Sequence, residues 1–302
     1  MKVLFPVSGV ETYWFLPPLI MMLISTVVSP AGVSGAFILL PLQISFFNYT
    51  SPGVSATNFI YNIVSIPLGV ARHIRTKNFS WTLFFLLLSG TLPGIFFGYY
   101  IRIVYLPTPQ KFKVFVAFVL LFLGIRTLIS AWKENQKSIS VNKEQLFIKK
   151  ESLSLSRGEI VVENYKTYTF SPLCIFFTSL FVGVIGGAYG IGGGALMAPF
   201  LISVLNLPPM VTSGATLFST WFTSITAAFF YAFGPKFGRS LNSAPDLLLG
   251  TLFGIGGMIG IFLGTKLKSY IPDKWIKIIL GCALLFITYN YLKPLILGEI
   301  TF

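Results

Sequence analysis

The stretch that most constrains this chain is Gly183-Val-Ile-Gly-Gly-Ala-Tyr-Gly-Ile-Gly-Gly-Gly-Ala-Leu-Met-Ala-Pro199. Seven glycines fall within the twelve residues from Gly183 to Gly194, between flanks as apolar as a membrane helix. Glycine weakens a helix and frees backbone groups that lipid cannot solvate. A break at membrane depth therefore survives only where protein or a watery cavity surrounds it, which makes the break a candidate binding site.

Composition places that break in a bilayer. The chain is 54% hydrophobic and 10% charged, with a mean hydropathy of +0.80, whereas a soluble domain carries about 25% charged residues. Apolar runs of about 20 residues recur along it, the length of a membrane-crossing helix. Residues Met1 to Pro6 show no small-residue cleavage site, so the first long run is expected to be retained. The net charge of +13 does not point to nucleic acid, because the bases sit mostly between apolar runs. None of the nine acids lies at the centre of such a run, which argues against a carboxylate proton relay. Cys174 and Cys282 lack metal-like spacing and read as buried packing residues. No metal, cofactor or catalytic residue is expected.

The order of the runs divides the chain into a first membrane repeat (1–131), a cytoplasmic linker (132–170) and a second membrane repeat (171–302). The linker holds seven bases and five acids and reads as solvated, with a short hairpin around Arg157-Gly158. Gly35-Ala-Phe-Ile-Leu-Leu-Pro41 aligns with Gly193-Gly-Ala-Leu-Met-Ala-Pro199, and Gly94-Ile-Phe-Phe-Gly98 with Gly260-Ile-Phe-Leu-Gly264. Each repeat is expected to be a broken helix or re-entrant helical hairpin plus three transmembrane helices, in an all-α membrane protein whose halves are inverted. Length favours the hairpin: one straight helix over residues 15–47 would span roughly 50 Å, against a hydrocarbon core of about 30 Å. The charge count puts 14 bases on the linker face and 7 on the other, Arg102 among them, whether the opening segments re-enter or cross. It therefore leaves open which side the termini face.

Paired breaks at corresponding positions of two halves point to a transporter's central site. At each break a half-helix begins with free N–H groups and the positive end of its dipole, a natural anion site. Ser34 and Gly35 start one such helix; Gly192, Gly193 and Gly194 start the other. On the following helices Asn58, Asn62 and Ser65 share one face at i, i+4 and i+7, as do Thr216, Thr220 and Thr223. The candidate substrate-binding set is thus Ser34, Gly35, Asn58, Asn62, Gly192, Gly193, Gly194, Thr216 and Thr220. The alternatives are close helix packing by the glycines and interhelical hydrogen bonding by the polar residues.

The Gly-Ile-Gly-Gly-Gly-Ala…Pro segment at 190–199, the Ala-Thr pairs that follow each break and the later Gly-Ile-Phe-(Phe/Leu)-Gly segments resemble the sulfite exporter TauE/SafE family. The resemblance covers nearly the whole chain outside 132–170. It implies a multi-pass permease in the cell membrane, moving a small sulfur-containing anion such as sulfite, sulfoacetate or another sulfonate, usually outward. The first break departs from the family's glycine-rich pattern, with Ser34 and Ala36 where the second has Gly192 and Gly194. The partners expected are that anion and the bilayer, with no nucleic acid; the oligomeric state is left open. Two other readings stand beside it: a passive anion channel, and an intramembrane serine protease using Ser34 of Gly32-Val-Ser-Gly35 with His73 as base.

Overall fold

The computed structural model describes residues 2–29, 34–75, 79–134, 148–154, 158–162, 167–205, 207, 209–238, 242–267 and 273–297. Strands β1 (Lys2–Phe5) and β2 (Val10–Tyr13) form an antiparallel hairpin ahead of the first helix, with Phe5 opposite Val10 and both buried. The helices that follow are α1 (Leu16–Val28), α2 (Ala36–Ser45), α3 (Gly53–Ser65), α4 (Pro67–Arg75), α5 (Trp81–Val104) and α6 (Pro109–Glu134). After strands β3 (Ile148–Leu153), β4 (Gly158–Val162) and β5 (Thr167–Phe170) come α7 (Pro172–Tyr189), α8 (Gly193–Ser203), α9 (Pro209–Phe233), α10 (Leu247–Leu267) and α11 (Asp273–Ile296). Six stretches, one of them α3 and α4 run together, are long and apolar enough to cross a membrane, so this is a multi-pass helical membrane protein. Helix α9 has 25 residues, but a run of serines and threonines dilutes its apolar character.

The interruptions fall where sequence reading put them, though the second is narrower. Helix α7 continues through Gly183, Gly186 and Gly187 and stops only at Tyr189. Those three glycines are packing positions inside a helix, so the break is confined to Gly190–Gly192. The first break lies between α1 and α2; of its Pro30–Gly35 segment, residues 30–33 are outside the described residues.

Close helix contacts explain where the other glycines sit. Along α5, Gly90 lies against Ser179, Gly94 against Gly183 and Gly98 against Gly187. Both helices advance by four residues at each step, so α5 and α7 run parallel with backbones in near contact. A Cβ on Gly98 would sit 2.9 Å from the Gly187 Cα, closer than real side chains approach. Helix α1 is held against α10 in the same way, with Gly256 against Pro18 and Gly260 against Met22 and Ser25. The matched Gly-xxx-Gly segments therefore seat the helix before each break, as small residues do between membrane helices. Helices α6 and α11 pair, α3 packs on α9 and α10, and α9 packs on α5. The outward surface carries large apolar side chains such as Phe85, Phe122, Phe177, Phe229 and Phe286, as a lipid-facing surface requires. Trp14, Trp81, Trp132 and Trp275 are exposed near helix ends, as an interfacial belt predicts.

Three sequence expectations need correction. Cys174 and Cys282 are exposed on α7 and α11, not buried: on a lipid-facing surface an apolar residue has no reason to hide. The 132–170 segment is not solvated throughout, because β3, β4 and β5 form an antiparallel sheet in that order. Its Ile160 and Phe170 are buried with Phe79, Leu83, Leu87 and Ile175 at the starts of α5 and α7. The Glu151 carboxylate accepts from the Thr82 amide (2.9 Å) and hydroxyl (2.7 Å), anchoring a negative charge at the N-terminus of α5. The hairpin expected at Arg157-Gly158 falls at the β3–β4 connection, where 155–157 are outside the described residues. Finally, Arg102, counted on the less basic face, is wholly buried.

Gly98→Val is expected to destabilise the detergent-purified protein by about 1–3 kcal/mol or more. Phe97→Leu, on the exposed side one residue away, is expected to stay within about 0.5 kcal/mol of the parent. Thermal unfolding midpoints compare the two. Equal midpoints would mean that α5 and α7 do not meet at these glycines.

Candidate functional site

The second break is built from two backbone conformations that only glycine adopts readily. Gly190 ends α7 in the left-handed region (φ +103), its N–H bonded to the Gly186 carbonyl at 2.8 Å, and Gly192 follows at φ +76. Between them the chain turns, and the carbonyls of Gly190 and Ile191 are left without helical donors. A Cβ on Gly190 would also meet the Ser55 carbonyl oxygen at 2.6 Å.

Helix α3 supplies the missing donors from one face. Asn58 Nδ2 donates to the Gly190 carbonyl (3.0 Å), and Asn62 Nδ2 to the Ile191 carbonyl (3.1 Å). Ser55 Oγ donates to the Ala188 carbonyl at 3.0 Å. The second Asn58 proton goes to the Ala36 carbonyl, also at 3.0 Å, in the first turn of α2. One amide group therefore joins the two interruptions, which lie more than 150 residues apart in sequence. Tyr189 adds a second tie, its hydroxyl donating to the Phe37 carbonyl at 2.8 Å.

The two half-helix starts differ. At α2 the chain caps itself: the Ala36 amide donates to Ser34 Oγ (3.3 Å), the Phe37 amide to the Ser34 carbonyl (3.2 Å) and the Ile38 amide to the Gly35 carbonyl (3.1 Å). Ser34 thus accepts from its own helix, and Gly35 sits under Tyr61 and Ser25, whose hydroxyls are 3.2 Å apart. The expectation of free donors at both breaks is corrected here: the first start consumes its own amides. At α8 the capping residue is Gly192, without a side-chain cap, and the first amides of a helix have no intrahelical partner.

The α8 start lies among α5, α7 and α9. Gly193 packs against Thr91, and Gly194 against Thr216 and Thr220, where a Cβ would come within 2.6 Å of Thr220 Oγ1. Gly192 lies beside the Thr220 methyl and Ser224 Oγ. The threonine face predicted on α9 is present and buried, but its protons are turned inward. Thr216 donates to the Thr212 carbonyl (3.0 Å), Thr220 to Thr216 (2.8 Å) and Thr223 to Ser219 (2.6 Å). This back-bonding is a common habit of mid-helix threonines. Thr216 and Thr220 therefore offer methyl groups and oxygen lone pairs here, and the free donors are elsewhere.

Those donors are serines. The hydroxyls of Ser179, Ser219 and Ser224 are buried without a hydrogen-bond partner among the described residues, as are the acceptors Asn58 Oδ1 and Asn62 Oδ1. Native interiors rarely leave such groups unpaired. Ser224 was legible as a hydroxyl of the α9 run and as the repeat counterpart of Ser65, whereas Thr91 carried no signal at all. Trp221 joins the same helices, donating from Nε1 to the Ile63 carbonyl at 3.0 Å.

Two other polar groups bear on competing chemistry. Asp246 is buried yet fully engaged: it caps α10 through the Leu249 amide (3.0 Å) and accepts from the Ser8 amide (3.1 Å) and hydroxyl (2.7 Å). Its own amide donates to Thr57 Oγ1, which also contacts Tyr49. Burial pushes the Tyr49 phenol well above its ordinary range, so it stays protonated in that chain. His73 packs beside Gly214 of α9 and Phe79, while Ser34 lies at the α2 start beside Gly35 and Ala36, so the two belong to different neighbourhoods.

Asn58→Ala strands the Gly190 carbonyl, at about 1–3 kcal/mol, and also removes the tie to Ala36, whose carbonyl keeps its helical bond in α2. Asn58→Asp is expected to destabilise in the same direction near neutral pH, since a carboxylate only accepts. Asn62→Ala strands the Ile191 carbonyl and loses no second bond, so it is expected to cost less than Asn58→Ala. Unfolding midpoints rank the three. A parent-like Asn58→Ala would remove the bridge from the account.

A family model described as Sulfite exporter TauE/SafE matches residues 18–291. The probable membrane transporter protein YunE of Bacillus subtilis is 23% identical over 274 residues, covering 86% of this chain and 93% of the relative. A TauE/SafE family protein 6 of Arabidopsis thaliana, named a sulfite exporter, is 30% identical over 77 residues, 26% of this chain and 17% of that protein. No solved structure matches.

Proposed function

The chain belongs to the sulfite exporter TauE/SafE family, a family of membrane transporters, and from that premise we propose that it exports a small sulfur-containing anion bound at the start of α8. The observation that carries this reading is the convergence of both interruptions on Asn58, which brings two broken helices to one buried place. Such a place is where transporters built from paired broken helices hold their substrate.

The chemistry supports an oxyanion. The uncapped α8 amides lie at the positive end of the helix dipole, and Ser224 adds a hydroxyl beside Gly192. Asn58 Oδ1 and Asn62 Oδ1 are acceptors, so a substrate bearing its own proton or ammonium fits better than a fully ionised sulfate. Hydrogen sulfite and the aminosulfonates have that character. A proton carried on the substrate would also supply coupling without an intramembrane carboxylate.

The halves 1–131 and 171–302 act as inverted repeats in this reading, with 132–170 on the cytoplasmic side of the plasma membrane. Its support is an exchange pattern in the packing: α1 pairs with α10 as α7 pairs with α5, and α3 pairs with α10 as α9 pairs with α5. Movement of one half against the other would open the tightly packed glycine site to each side in turn. A passive channel differs in one observable, since only a carrier shows saturation and counterflow.

Purified protein is expected to be stabilised by sulfite or an aminosulfonate and not by sulfate, choline or glucose. Ser224→Ala is expected to weaken that binding about tenfold, the loss of one hydrogen bond to a charged group. In proteoliposomes, sulfite trapped inside should accelerate uptake of labelled sulfite. Stabilisation by choline or glucose alone would sink the anion reading, and flux without saturation or counterflow would replace the carrier by a channel.

A further inference from the structure

Arg102 occupies the last turn of α5 and is wholly buried. Its Nη1 donates to the Leu106 carbonyl just past the helix, and the Phe112 ring covers the guanidinium with 3.7 Å from Cζ to the ring centroid. Nε and Nη2 have no hydrogen-bond partner among the described residues. The Tyr231 phenol of α9 is a neighbour of this guanidinium.

A buried charge without a counter-ion is among the costliest arrangements a protein can hold. The Leu106 carbonyl and the α5 dipole answer one edge of the guanidinium. The edge left empty, Nε with Nη2, is the side-on fork that grips two oxygens of a carboxylate or sulfur oxyanion at once.

Its position ties it to the break. Gly90, Gly94 and Gly98 stand against residues 179, 183 and 187 in parallel register, so Arg102 lies one turn of α5 beyond the glycine that meets Gly187, three residues before the break. Tyr231 lies between: its hydroxyl donates to the Gly187 carbonyl at 3.0 Å, and its ring meets Tyr99 at 4.9 Å. The N-terminus of α5 holds the sheet through Glu151, so Arg102 is at the opposite end of that helix. We propose that the empty Arg102 fork is a second anion-binding station, taking an oxyanion with paired oxygens between the break and the membrane face remote from the 148–170 sheet. The inference rests on the reading that an anion passes through the break, and adds a residue on its route outside the paired breaks.

The test compares parent, Arg102→Gln and Arg102→Lys in detergent, titrating sulfite and methanesulfonate against the unfolding midpoint. Arg102→Gln is expected to raise the apparent Kd for both anions about tenfold or more, and Arg102→Lys, which keeps charge without the fork, by about threefold. Unchanged affinity in both variants overturns the proposal and leaves Arg102 as a cap for α5. Should Arg102→Gln fail to fold, parent-like affinity in Arg102→Lys overturns the fork by itself. A parent protein that answers only to choline or glucose overturns the anion reading instead, a result distinct from either.

Discussion

Everything near the centre of this molecule depends on one requirement: a helix that stops inside an apolar medium must find donors for the carbonyls it exposes. Lipid offers no donors, so α3 delivers amide side chains to Gly190 and Ile191. Because the Asn58 amide has a second proton, the same residue reaches Ala36 and fixes the first interruption to the second. The site is thus a by-product of backbone accounting. What the backbone leaves over is a set of buried serine hydroxyls and amide oxygens with hydrogen-bonding capacity to spare.

Much of this was legible. Gly190 and Gly192 stood out because lipid-depth glycine is costly, and Asn58 and Asn62 because polar residues four apart share a helix face. Other parts were hidden for physical reasons. Nothing in a string of glycines says which are helical, and Gly183 and Gly187 keep helical geometry because α5 presses on them. The hydroxyl face of α9 could be read, but not that Thr216 and Thr220 turn their protons back on their own helix. The sheet escaped because short strands rich in Lys, Glu and Ser look solvated until Ile160 and Phe170 are seen in the core.

Arg102 shows the limit of counting charges. By position it belongs with the bases outside a helix end. The chain beyond α5 folds Leu106 and Phe112 over it, and the charge is drawn inside. A topology count treats every Arg as a surface label, whereas burial turns this one into chemistry.

The glycine seams also govern how such a chain is made. Helix α1 has its closest partner in α10, where Gly256 receives Pro18 and Gly260 receives Met22. Roughly 240 residues of synthesis separate those partners, which at about 5–20 residues per second leaves α1 waiting some 12–48 seconds. Throughout that interval the first helix lacks the glycine groove in which Pro18 and Met22 finally sit. A ribosome stalled before α10 leaves α1 without its glycine seam. Assembly of this protein is therefore a race between completion and quality control, timed by the distance between two helices.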